Sequence, residues 1–183
     1  MQASSRYQRS QALVLSVYKA LEKDLRVVLL HQHDGKRWLS ARGARSSRRG
    51  VQAALQPGNH VEVLLYRSGE HDTLQQAEIL HSPLTQVVTP QRLNVLHYLL
   101  WITQHWCEWN TAVPTLYELL RKGVETVCAI EDTRLSVVSR RFERALLVEE
   151  GLWPTDQNLT FGDFARIFEE HSHQQIPDQF AEN

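Results

Sequence analysis

Residues 25–50 read LRVVLLHQHDGKRWLSARGARSSRRG. The first seven, LRVVLLH, are apolar and partly β-branched, and RWLSA (37–41) follows after a polar turn, so the stretch opens as two short strands. It continues as a loop of unusual charge. From Gly35 to Gly50 there is no acidic residue, while Lys36, Arg37, Arg42, Arg45, Arg48 and Arg49 supply six cations. A solvated helix face would carry glutamates four residues from its cations, and none is present. The Gly, Ala and Ser residues between the arginines let a backbone come close to a large polyanion. Arginine suits phosphate because its fork donates two hydrogen bonds at once and stays charged.

Outward from this stretch, the first eighty residues continue as strands. ALVLSVY (12–18) precedes it, and QPGN (56–59) is a turn signal after it. HVEVLLY (60–66), a hairpin turn SGEHD (68–72) and TLQQAEIL (73–80) complete a set of five. Five short strands with no long helix among the first three suit a small closed barrel of the OB-fold kind over residues 1–82. Trp38 and Tyr66 are candidate stacking platforms, although an aromatic in a barrel strand is more often core.

Beyond Pro83 the apolar period becomes helical. Pro90 opens a helix (90–108) that is apolar nearly all round and therefore buried. Pro114 with a Thr115-x-x-Glu118 capping box opens a second helix reaching about Ile130. Asp132 or Thr133 caps a third, ending at Gly151. A fourth lies around 161–171, and the acidic tail after Ser172 is expected to fray. The class is α+β: an N-terminal five-stranded OB-fold β-barrel followed by an all-α helical domain over 83–183.

Composition agrees with a folded chain of 183 residues, 42% hydrophobic and 22% charged. The net charge of −1 hides an asymmetry: residues 1–81 hold 12 Lys and Arg against 7 acids, and residues 82–183 hold 8 against 14. The first region favours a polyanion. The N-terminal MQASSRYQRSQ lacks the apolar core of a secretory signal, no apolar run reaches membrane-spanning length, and two free cysteines suit a reducing cytoplasm. His31-x-His33 and His171-x-His173 have ligand-like spacing, but neither has a third ligand nearby in sequence. Cys107 and Cys128 are too far apart for a zinc knuckle, so the helical domain is expected to fold without metal. No phosphate loop, nucleophile elbow or dinucleotide-binding turn is present. The expectation is a non-enzymatic protein without a cofactor.

Two stretches resemble the bacterial recombination mediator family RecO. In RWLSARGARSSRRGVQAALQPGNHVEVLLYRSGEHDTLQQAEI (37–79), a strand ends in a K/R-G-A-R-like signature, a basic loop follows, and LQP leads to the next strands. SRRFERALLVEEGLWP (139–154) looks like the family's R-x-F-E-x-x-L-L-x-x-x-G helix. The resemblance implies binding of single- and double-stranded DNA, annealing of complementary strands, loading of the RecA recombinase onto gaps coated by single-strand-binding protein, and a cytoplasmic, nucleoid-associated location. It implies RecR and the acidic tail of single-strand-binding protein as partners. Its signature positions for DNA contact are Arg42, Arg45, Arg48 and Arg49. Arg121, Lys122, Arg140, Arg141 and Arg144 are the candidate docking surface for the acidic tail. Two departures stand out: the four-cysteine zinc module of some members is missing, and the region after the second motif is short. Two other classes fit the barrel, an OB-fold protein-interaction adaptor and an RNA-binding barrel without annealing activity.

Overall fold

The computed structural model describes residues 6–46, 50–68, 71–85 and 89–180. Five strands, β1 (Tyr7–Lys19), β2 (Leu25–His31), β3 (Gly35–Ala41), β4 (His60–Ser68) and β5 (His71–His81), close into a barrel in the order β1-β2-β3-β5-β4. A short helix α1 (Val51–Ala54) lies between β3 and β4. This is an OB-fold barrel. All pairs are antiparallel except β3 with β5, which closes the ring through Leu39↔Asp72 and Ser40↔Thr73.

β1 is longer than its apolar run. Its second half pairs with β2, while Tyr7–Leu13 pairs with β4. The added residues, including Gln8, Arg9 and Ser10, are held by backbone pairing and carry no apolar signal. A register shift between Val14 and Ser16 marks a bulge, which lets Val17 follow Val14 on the same face.

The apolar runs of β1 and β2 are buried on both faces. Ala12, Val14, Val27 and Leu29 fill the barrel with Leu39, Val61, Val63 and Leu65. Leu13, Leu15, Val28 and Leu30 face the other way, into the core of the helices. β4 has one buried face, and its HVEVLLY alternates accordingly. The sequence pattern thus reports which wall of the barrel is covered.

The cover is α2 (Pro90–Trp106), with α3 (Pro114–Ala129), α4 (Leu135–Glu149) and α5 (Phe161–Ser172) around it. Val95, Leu96, Tyr98, Leu99, Leu100, Ile102 and Trp106 are all buried, as an all-round apolar helix requires. Pro90 stands at its first position, behind Thr89, whose side chain accepts from the Arg92 amide. The guanidinium of Arg92 donates to the Val127, Cys128 and Ile130 carbonyls, capping the C-terminus of α3 from a neighbouring helix.

Three local expectations are corrected. The Thr115–Glu118 capping box does not form: α3 starts at Pro114 without a side-chain cap, and Glu118 accepts from Arg121. Asp132 begins a short 3-10 turn and accepts from Arg92, so α4 starts three residues later without a side-chain cap. From His173 to Phe180 the chain is not frayed. It turns back through Asp178–Phe180 and buries Phe180 against Tyr98 and Trp101, at ring-centroid distances of 5.4 and 6.1 Å. Gly151 does end α4, at φ 70°, with the Leu152 amide bonded back to the Leu147 carbonyl at 2.8 Å. Thr160 and Asp163 form a capping box on α5.

Phe180 is expected to be an anchor. Phe180→Ala should cost about 3 kcal/mol, read as a lower urea midpoint with an unchanged slope. A frayed tail would leave the midpoint where it is.

Candidate nucleic-acid interface

β3 carries the start of the basic stretch, and the alternation of a strand sends its cations to different faces. Lys36 lies on the covered side and is buried. Its Nζ donates to the Gln104 carbonyl at 2.5 Å and sits 4.4 Å from the centroid of the Trp109 ring. Burial holds its ammonium below the usual lysine range. Gly35, at φ +72°, allows this approach: a Cβ there would lie 1.7 Å from the Thr111 carbonyl oxygen. Arg37 lies on the opposite parity, with its Nε 3.0 Å from Oδ2 of the buried Asp72. Both cations are therefore engaged inside the protein, Arg37 by a carboxylate and Lys36 by a carbonyl and a ring.

Past Ala41 the chain turns through Gly43 (φ 65°) into a 3-10 turn, Ala44–Ser46. The Gly43 amide donates to Asp24 Oδ1 at 2.8 Å, and the Arg45 amide to the Lys23 carbonyl at 3.2 Å. Arg45 Nη1 donates to the Glu22 carbonyl at 2.5 Å. The loop is thereby pinned to the β1–β2 turn. Arg42 and Arg45 are exposed, and Arg42 has no hydrogen-bond or ion-pair partner among the described residues. Arg42 also lines a shallow cavity of about 320 Å³ with Ala44, Val51, Leu74 and Gln75. Arg48 and Arg49 lie outside the described residues.

The fold adds cations that the sequence pattern did not single out. Lys19, Lys23 and Arg26 are exposed at the adjoining ends of β1 and β2, where Glu22 and Asp24 interleave with them in sequence. The Asp24 carboxylate accepts from the Gly43 amide, and it and Glu22 offset part of the positive charge at that end of the barrel. Trp38, read as core, is 42% exposed instead. It stands on the outer wall beyond the reach of the helices. Tyr66 is half-buried, and its ring meets Tyr7 edge-on at 5.2 Å.

The second set of cations is largely paired within the helices. Arg121 bridges Glu118 and Glu125 at 2.8 and 2.6 Å. Arg140 Nη1 lies 2.8 Å from Oε2 of the buried Glu143 and its guanidinium covers the Phe161 ring. The Tyr98 hydroxyl donates to the same carboxylate at 2.6 Å. Burial pushes the Glu143 carboxyl above the usual carboxylate range. Arg144 donates to the Thr155 carbonyl. Lys122 and Arg141 are exposed, and neither side chain makes a hydrogen bond or a close ion pair among the described residues. The apolar groove nearest these helices, about 240 Å³ between Val113, Leu116, Leu119 and Leu146, is rimmed by Glu149 and Glu150.

The histidine pairs do not build a metal site. His31 is buried and its Nδ1 lies 2.8 Å from Ser10 Oγ, whereas His33 is exposed. His171 stacks on Trp106 at 4.0 Å. Cys107 is buried, its Sγ 3.0 Å from the Thr103 carbonyl, and burial pushes its thiol up to about 11. Among the described residues, no three His, Cys, Asp or Glu gather as a metal centre would require.

Residues 4–83 match the family model described as recombination protein O N terminal. Over those residues the N-terminal barrel is similar to the N-terminal domain of the RecO family. Among curated proteins, the DNA repair protein RecO of Chlorobaculum parvum is 24% identical over 125 residues, covering 67% of this chain and 48% of the relative. A match of that length cannot fit inside the barrel and reaches into the helices. The chain spans about half the length of the curated relative it matches.

His31 gives the barrel a pH-dependent signature. Burial lowers its pKa to about 4 from 6.5, so the unfolded chain takes up the proton first as pH falls. Stability is expected to be full above pH 6.5 and to fall toward pH 4, by up to about 3 kcal/mol from this residue. His31→Leu should flatten that part of the stability-versus-pH curve relative to the parent, as measured by urea unfolding across the window.

Proposed function

We propose that this protein is a recombination mediator of DNA repair, binding single- and double-stranded DNA without reading sequence and annealing complementary strands. The observation that carries the reading is the RecO-type barrel with an acid-free basic loop at one end, where Arg42 and Arg45 are exposed. Residues 1–82 act as the DNA-binding unit and 83–183 as the helical unit. Arg42, Arg45, Arg48 and Arg49 engage phosphates, with Lys36 and Arg37 shaping the strand beneath them. The pinned base of the loop supports this role, because Arg45 is held by main-chain bonds and loses little freedom on binding.

The mechanism needs no covalent step. Two strands held on a basic surface repel each other less and meet at higher effective concentration, and base pairing supplies the free energy. Annealing then proceeds without ATP, and the recombinase is helped onto gaps by the mediator rather than by a motor. RecR and the acidic tail of single-strand-binding protein are the partners of this reading, acting at the nucleoid in the cytoplasm. Among the described residues no helix is long and apolar enough to cross a membrane. Lys122 and Arg141 are the members of the second set whose charges face water, and the tail docks there in preference to the groove rimmed by Glu149 and Glu150.

Log affinity for single-stranded DNA is expected to fall with log salt at a slope of roughly −3. Arg42→Ala with Arg45→Ala should flatten that slope by about 1.4 units, at roughly 0.7 per contact. Annealing, followed with complementary dye-labelled strands, should decline in proportion and be indifferent to ATP. An unchanged slope would remove the loop from the interface. A strong preference for structured RNA would move the protein to an RNA-binding class.

Binding of a labelled acidic tail peptide should weaken about fivefold or more in Lys122→Ala with Arg141→Ala, since two charge contacts of roughly 0.5–1 kcal/mol each are lost. Full binding in that double variant would place the tail elsewhere.

A further inference from the structure

Along β1 and β2 the outer wall of the barrel is buried under helices, and where that cover stops three aromatic rings stand in water. Tyr18 ends β1, Trp38 lies in β3, and Trp109 lies in the connection between α2 and α3. They are 45, 42 and 41% exposed. Tyr18 and Trp38 have centroids 5.6 Å apart, and Trp38 and Trp109 are 5.3 Å apart with planes within 15°. The row is held from behind. Trp109 is bridged to the edge of β3 at Lys36, the Asn110 amide donates to the Lys36 carbonyl at 2.9 Å, and the Lys36 ammonium lies against the Trp109 ring.

The surroundings specify what the row can take. Arg26 is directly opposite Tyr18 on one side and Ser40 on the other, and it is exposed without a recorded partner among the described residues. Ser40 and Trp38 are successive side chains on one face, about 7 Å apart. Arg42 follows two residues after Ser40. The adverse charges are Glu108, exposed beside Trp109 at the far end, and Glu22, exposed in the β1–β2 turn. Trp109 is already backed by Lys36 and stacked on Trp38, and exposed rings of this kind next to unpaired guanidiniums suit unpaired bases on a phosphate backbone, whereas the bases of a duplex are already stacked and paired. An apolar peptide would have no use for the cations.

We propose that Tyr18, Trp38 and Trp109 form a stacking platform for the bases of single-stranded nucleic acid, with Arg26 joining Arg42 on the backbone. This rests on the nucleic-acid reading above and adds to it a basis for telling single strands from duplex.

The test uses the full chain, a labelled oligo(dT) of about 15 nucleotides and a duplex of equal length. Trp38→Val and Tyr18→Val should each weaken oligo(dT) binding about tenfold and leave duplex binding within about twofold. Trp38→Phe keeps a ring and should lose less than about threefold. Oligo(dT) should quench the intrinsic tryptophan fluorescence of the parent, and Trp38→Phe should reduce the quench. Thermal melting checks each variant; if Trp38→Val fails to fold, Tyr18→Val and the quench decide. Oligo(dT) affinity unmoved by the loss of either ring overturns the platform, as does a parallel fall in duplex affinity. If the parent binds neither strand type, the nucleic-acid reading fails and the platform with it. If binding depends on Arg42 and Arg45 but ignores the rings, the platform alone fails and the row is left to a protein partner.

Discussion

The barrel wall that faces α2 organises the molecule. Leu13, Leu15, Val28 and Leu30 belong to strands of the barrel and yet are buried in the core of the helices. One set of strands thus supplies both hydrophobic cores, and neither layer can shift against the other without opening apolar surface to water. The two halves of the chain share a wall. Lys36 is set into this junction, its ammonium satisfied by a carbonyl of α2 and a ring of the following connection. A buried cation with two specific partners costs desolvation, and it fixes how the strand and the helix meet.

That rigidity determines what remains for binding. Where the helices cover the wall, the side chains are aliphatic; where they stop, Trp38 and Tyr18 stand exposed. At the adjacent end the basic loop is tied to the β1–β2 turn through Asp24 and the Glu22 and Lys23 carbonyls. Cations and rings are therefore offered from fixed backbone, and the cost of ordering them on binding is reduced.

Much of this was legible in the sequence because the relevant signals are local. The two-faced apolar runs at 12–18 and 25–31, the prolines that start α2 and α3 and the glycine after α4 all act over a few residues. The polar half of β1 was invisible because β4 holds it through backbone pairing some fifty residues away. Capping failed as a signal where a distant partner competed: Arg92 drew in Asp132, and Arg121 drew in Glu118. The charge run located the basic loop but could not show that Arg37 would meet Asp72 or that Lys36 would be buried. Nor could it show Lys19, Lys23 and Arg26 arriving beside the loop. Such pairings depend on which elements become neighbours, and alternation within one strand does not encode that.

The shared wall also bears on synthesis. A chain leaves the ribosome N-terminus first, at about 5–20 residues per second. Leu30 is made roughly sixty residues before Pro90, so the aliphatic wall is in existence for some seconds before its covering helix begins to emerge. β1 must also wait for β4 before the ring can close. During that interval the nascent barrel shows an apolar face with paired strands beside it, the type of surface that holdase chaperones retain and that neighbouring nascent chains aggregate through. In the finished protein the same face is the most protected part of the molecule.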